Sequence, residues 1–179
     1  MKIICTWSVK TLLVIFITTI LFIGGDTFAK PLDFQPKIST NAVSLYLNKE
    51  IELKVFNLIN AERNKRNLRS LTFDSRLSKV ARSHSLAMAK EDFFSHYGSD
   101  GSTVVDRAKD FNITNWRKIG ENLFTCRGYD DPETVAIHGW LKSASHRKNM
   151  LSSSWTATGI GVAISKDGDI YITQVFVAY

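Results

Sequence analysis

Three residues in this chain combine side chains suited to chemistry with neighbours suited to holding them. Glu121 stands in Gly-Glu-Asn and His146 in Ser-His-Arg-Lys-Asn, both within the stretch Lys118 to Met150. His96 lies upstream in Phe-Phe-Ser-His-Tyr, where two large apolar residues give way to the turn sequence Tyr97-Gly98-Ser99-Asp100-Gly101. A histidine at such a loop edge, anchored by aromatics, is well placed for a ligand or acid–base role. Two imidazoles and a carboxylate suit a borderline divalent metal such as zinc. The same groups suit a general acid and base. They would also serve as a hydrogen-bonded pair that only fixes the walls of a cleft, and residue type alone leaves the three readings open. Binding is favoured over catalysis, because the chain carries no Gly-x-Ser-x-Gly elbow and no His-Glu-x-x-His helix. Ser143 and Ser145 adjoin His146 so closely that they read as turn-formers, not as nucleophiles.

The elements that must position these residues are legible from periodicity. Ile51, Val55, Leu58 and Ile59 share one helical face, which predicts a first helix over about Leu47 to Asn67. A second helix starts at an Asp74 cap and carries the stripe Leu77, Val80, Ala81, His84 and Met88. His84 therefore faces the core, where a neutral imidazole hydrogen-bonded to backbone is expected in place of a ligand. A short third helix follows, with Ser102 as its cap and Val104, Val105 and Ala108 inside. Ile119 to Phe124 reads as a strand with Glu121 near its start. A fourth helix has Asp131 as cap and Pro132 in its first turn. His138 on that helix has no motif around it and reads as structural or exposed. Ser143 to Met150 is a short turn or one-turn helix holding His146. Two β-rich runs, Thr156 to Ser165 and Asp169 to Tyr179, flank Lys166-Asp167-Gly168, a hairpin signal. Helices first, a hairpin last and a strand between predict an α+β fold with a small antiparallel sheet covered by helices.

Composition bounds the rest. The 179 residues, 44% hydrophobic and 22% charged, suffice for one globular domain after a leader. The formal net charge is +6. Lys2, Lys10 and Asp26 belong to the leader, so the remainder stays mildly basic. That suits an anionic cell surface, but Lys and Arg are scattered and no arginine–aromatic interleaving supports nucleic acid. Residues 1–29 look like a secretory signal: two lysines, an apolar run from Leu12 to Ile23 and the small-residue end Thr27-Phe28-Ala29. That run is shorter than a membrane span of about 20 residues, so membrane contact is expected only through an uncleaved leader. Residues 30–46 hold two prolines in a polar setting and read as a linker, with the domain over 47–179. Beyond Cys5 in the leader, Cys126 is the lone cysteine, which excludes a disulfide framework and a Cys-based metal site. Burial is expected for it.

Taken together, these motifs resemble those of the CAP superfamily, or SCP domain (cysteine-rich secretory proteins, antigen 5, pathogenesis-related 1), in its cysteine-poor bacterial branch. The resemblance runs from about Val55 to Tyr179. It is carried by N-x-x-R at Asn60 to Arg63, A-R-S-H-S-L-A-M-A at Ala81 to Ala89, F-F-S-H at Phe93 to His96 and D-G-S-T-V-V-D-R at Asp100 to Arg107. G-E-N at Gly120 to Asn122, W-L-K-S-A-S-H-R-K-N-M at Trp140 to Met150, and the closing T-G-I-G-V-A-I and Y-I-T-Q-V-F complete it. The resemblance implies an α-β-α sandwich, export to the cell surface or medium, and a central cleft lined by two histidines and two acids. His96 and His146 match the histidines and Glu121 matches the acid of Gly-Glu-Asn. The second acid has no clear glutamate, and Asp106 is the candidate for it. From this follow three functional expectations. The first is an extracytoplasmic binding or interaction module, with a protein, envelope or lipid partner and zinc or another divalent cation as the cofactor the cleft would hold. The second is a metal-dependent hydrolase of peptide or envelope substrate. The third is a lipid or sterol carrier.

Overall fold

A computed structural model describes Ile3–Ile4 and residues 40–179, with side chains from Leu45 onward. Apart from Ile3–Ile4, the expected leader, the cleavage after Ala29 expected of it and the expected linker up to residue 39 lie outside the described residues. The elements in order are β1 (Ile3–Ile4), α1 (Thr40–Asn64), β2 (Thr72–Phe73), α2 (Ser75–Glu91), α3 (Val104–Asp110), β3 (Lys118–Arg127), α4 (Pro132–Lys142), α5 (Ala144–Met150), β4 (Ala157–Ile164) and β5 (Asp169–Ala178). The sheet order is β1-β3-β5-β4-β2. Its centre, β3-β5-β4, is antiparallel as expected, and the two-residue strands β1 and β2 add parallel edges.

Alternation along β5 explains the layers, because successive side chains leave a strand on opposite faces. Ile172, Phe176 and Ala178 pack with Val55 and Ile59 of α1 and Ala136, Ile137 and Trp140 of α4. Val175 and Val177 pack on the other face with Leu77, Val80 and Ala81 of α2 and Ala108 of α3. Two helical layers thus enclose one sheet, the α+β sandwich expected from the chain. Leu77, Val80 and Met88 are fully buried, each contributing about 1.5–3 kcal/mol of apolar burial. The α2 layer lies unusually close to β4. A Cβ on Gly161 would stand 2.0 Å from the Arg82 amide nitrogen, and one on Gly159 2.2 Å from that of Ser78. Only glycine lets backbone approach backbone so closely.

Three boundaries differ from expectation. Helix α1 begins at Thr40, seven residues before the expected Leu47, so residues 40–46 are helical. Once the packed turns around Val55 and Ile59 exist, extending the helix backward costs little, and no proline interrupts it after Pro36. Within it Leu45, Tyr46 and Leu47 are exposed. At its other end α1 stops at Asn64, and Asn67, with φ 56°, closes the turn beyond it. Thr103, not Ser102, caps α3. Its hydroxyl accepts from the Asp106 amide, while the Asp106 carboxylate accepts from the Thr103 amide and hydroxyl, a reciprocal capping box. Asp74 caps α2 and Asp131 caps α4 as read from the chain.

Candidate functional site

The cleft is built across the outer edge of β3. Among the described residues, only Cys126 and Arg127 of β3 have a strand neighbour on that side. Adjacent residues of Gly-Glu-Asn serve opposite walls, because Glu121 and Asn122 leave the strand on opposite faces.

Glu121 turns toward the α2–α3 layer. Its Oε1 accepts from His96 Nδ1 at 2.7 Å and its Oε2 from Arg107 Nη2 at 2.8 Å. The carboxylate is almost wholly buried, with 3% of its side chain exposed, and Arg107 shows 8%. His96 is 54% exposed at the side chain, so one ring edge is held by Glu121 and the other is open to solvent. Arg107 also donates to the carbonyls of Ser102 and His96. It therefore grips the loop that carries His96 as well as the acid that orients it. Behind this loop His84 is buried and its Nε2 donates to the Ser95 carbonyl at 2.9 Å. Its Nδ1 has no hydrogen-bond partner among the described residues. Burial is the leading cause that holds its pKa below the ordinary histidine range. That is the core role read from its place in the α2 stripe.

Asn122 turns toward α5. Its Nδ2 donates to the His146 carbonyl at 3.1 Å, and Asn149 Nδ2 donates to the Asn122 side chain and to the Glu121 carbonyl. The far end of α5 is fixed by Arg63. This fully buried arginine donates to the carbonyls of Met150 and Ser152 at 2.9 Å and to that of Arg69 at 3.0 Å. Trp140 Nε1 donates to the Leu123 carbonyl, stitching α4 to the same strand edge. His146 is half-buried, and burial, followed by the proximity of His96, lowers its pKa.

Between these walls lies a cavity of about 380 Å³ lined by His96, His146, Phe94, Phe124, Trp140 and Lys142, with Ser95, Ser143, Leu123 and Gly139 between them. Gly139 has a local reason: a Cβ there would stand 2.9 Å from the Phe124 ring. Ser143 and Ser145 hydroxyls lie 3.3 Å apart and bond each other.

The structure thus brings His96 and His146 to one cavity with Glu121 directly behind His96. It does not bring Asp106 there. That carboxylate is spent on its own helix cap and lies 3.8 Å from Lys109. The next residue, about 100° further round the helix, is Arg107, and it is the one that reaches Glu121. Arg107, Asn122 and Asn149 all lie within the motifs quoted above. Their partners are many residues away in the chain, so spacing alone did not assign them. His138 is exposed. The donors also bear on the cofactor. Both Glu121 oxygens are engaged, one of them by a fixed guanidinium. Among the described residues, no group of three or more His, Cys, Asp or Glu is placed to hold a metal ion. A zinc site needs three or four such ligands, so this donor set does not fit one.

Comparison with known proteins agrees with the fold. The profile of the cysteine-rich secretory protein family (CAP) matches residues 56–176. The uncharacterized protein YkwD of Bacillus subtilis is 38% identical over 126 residues, covering 70% of this chain and 46% of that protein. The uncharacterized membrane protein YlbC of the same species is 32% identical over 126 residues, covering 70% and 34%. The chain therefore spans less than half the length of these curated relatives. Among solved structures, an extracellular protein containing an SCP domain from Bacillus anthracis superposes with a TM-score of 0.69 at 27% identity, covering 79% of this chain and 44% of that one. An outer surface protein from Borrelia burgdorferi superposes with a TM-score of 0.65 at 22% identity, covering 72% and 92%. Among the described residues no helix is long and apolar enough to cross a membrane.

Proposed function

Because the chain belongs to the cysteine-rich secretory protein (CAP) family, we propose that it is an extracytoplasmic binding module. In this reading the cleft between the His96 loop and α4–α5 captures a small ligand without turning it over. The observation that carries this reading is the cavity itself. It combines apolar and polar side chains in one lining, as ligand sites generally do, and its polar framework is already bonded. A framework of this kind binds with little reorganisation. Neither imidazole is hydrogen-bonded to a hydroxyl or thiol among the described contacts, whereas a covalent mechanism would pair a nucleophile with its base. Secretion is supported by the leader pattern and by the extracellular and surface settings of the structural relatives.

A thermal-shift screen of peptide and small-molecule libraries on the full chain tests this. Hits should raise the melting temperature, be recovered unchanged by mass spectrometry, and lose their effect in Ser143→Trp, which plugs the cavity. Cleaved products would replace binding with hydrolysis. Hits indifferent to the plug would move the site elsewhere, and recovery of bound lipid alone would favour a carrier.

A further inference from the structure

We propose that the cleft is selective for anions, and that its ligand is a carboxylate carried on an apolar or aromatic body. This deepens the binding reading above and rests on it. The first observation is the charge of the lining. Among the described residues no aspartate or glutamate lines the cavity, and the groups that do include Lys142, His96 and His146 with the hydroxyl-bearing Ser95 and Ser143. Glu121 stands behind His96 and is closed off by two donors, one of them permanently cationic. Its negative charge is therefore answered within the protein and not offered to a ligand. The second observation is the apolar part of the same lining, where the part-exposed ring of Phe94 and the narrow exposed edges of Leu123 and Phe124 present carbon, with Trp140 closing the wall behind them.

A metal cation would meet Arg107 behind the acid and a lysine at the rim. An organic anion would meet donors and a cation interleaved with apolar surface. The apolar lining then supplies most of the affinity, and the polar groups supply the selection, as is usual for charged groups at partly exposed sites. Lys142 is exposed, so its charge is screened and its effect on affinity is modest.

The test uses four probes on the full chain: 3-phenylpropionate, its neutral isostere 3-phenylpropionamide, the dipeptide acetyl-Ala-Phe with a free C-terminus, and zinc chloride. Binding is read from the Trp140 indole and the His96 and His146 ring signals by NMR. Both carboxylates should perturb these signals, at least ten-fold more tightly than the amide. In Lys142→Met the carboxylate should lose about five-fold, roughly the effect of one exposed ion pair, while the amide is unchanged. A tighter dipeptide would make a peptide C-terminus the source of the carboxylate, and a tighter free acid would make it a small organic acid. If the amide binds as well as the acid, the anion assignment is wrong while the binding module stands. If no organic probe moves the cleft signals, both fail. If zinc shifts both histidines more tightly than either carboxylate binds, the cleft is a cation site and the proposal is overturned.

Discussion

Replacing Arg107 by methionine should be among the most damaging single changes near the cleft, and the structure sets the size. Arg107 and Glu121 expose 8% and 3% of their side chains and meet at 2.8 Å. Removing one partner of a buried pair leaves an uncompensated charge, at a cost of about 3–5 kcal/mol. Arg107→Met also releases the Ser102 carbonyl, bonded at 2.9 Å, which keeps the expectation at the upper part of that range. For a chain of this size each kcal/mol moves the melting temperature by about 2–4 °C, so a fall on the order of 10 °C is expected. Glu121→Gln should cost less, about 1–3 kcal/mol, because the amide oxygen can still accept from Arg107, which also keeps its bonds to the Ser102 and His96 carbonyls. The informative variant is the double one, Arg107→Met with Glu121→Gln. With no buried charge left unanswered, its loss should undercut the sum of the singles by about 1–3 kcal/mol. Urea unfolding followed by circular dichroism and tryptophan fluorescence, with coincident transitions and an unchanged m-value, would measure all four corners of the cycle. Losses that simply add, or an Arg107→Met penalty below about 1 kcal/mol, would show that the two charges do not hold the cleft wall as described.

Other expectations are narrower. Gly161→Ala should cost about 3 kcal/mol or more, read as the shift in urea midpoint, because the new Cβ meets the α2 backbone at Arg82 with no flexible atom to yield; a shift near zero would contradict the close packing of α2 on β4. Cys126 is buried and its thiol is pushed up to about 11 by burial, with Asp169 adding to it. Reaction with a disulfide reagent at pH 8 should therefore follow the unfolding rate, and prompt reaction of the native protein would refute its inertness. His84 has a lowered folded-state pKa, so the unfolded chain takes up a proton that the folded one resists. Its contribution to stability is full above the unfolded value of about 6.5 and is lost as pH falls from there toward the depressed folded value. His84→Gln should flatten that part of the stability–pH curve, and an unchanged slope would contradict it.

Much of this protein was determined by local patterns in its sequence. The stripe from Leu77 to Met88 specified α2 and buried His84, Asp131-Pro132 specified the start of α4, and Asp167-Gly168 between β-rich runs specified the final hairpin, with Gly168 at φ 84°. These are short-range effects: a cap bonds two or three residues ahead, and a stripe needs only one helical repeat. His96, Glu121 and His146 were legible because each sits inside a motif, and the tertiary structure brought all three to one strand edge. What local pattern could not supply was the partner of each side chain. Asp106 and Arg107 are neighbours on one helix, and both carry charges able to serve a cleft. Which of them does so depended on the rotation of α3 against β3 and on the prior claim of the Thr103 cap upon Asp106. That outcome changed the chemistry, because a second acid would have favoured a cation and the arginine closes off the first acid instead. The roles of Asn122, Asn149 and Arg63 were decided in the same way, by contacts between elements distant in sequence. Local sequence determines which elements form and which face each one buries. The charge and donors that meet in a cleft are decided only when those faces are packed, because a hydrogen bond is set by distances of tenths of an ångström between groups the chain itself holds far apart.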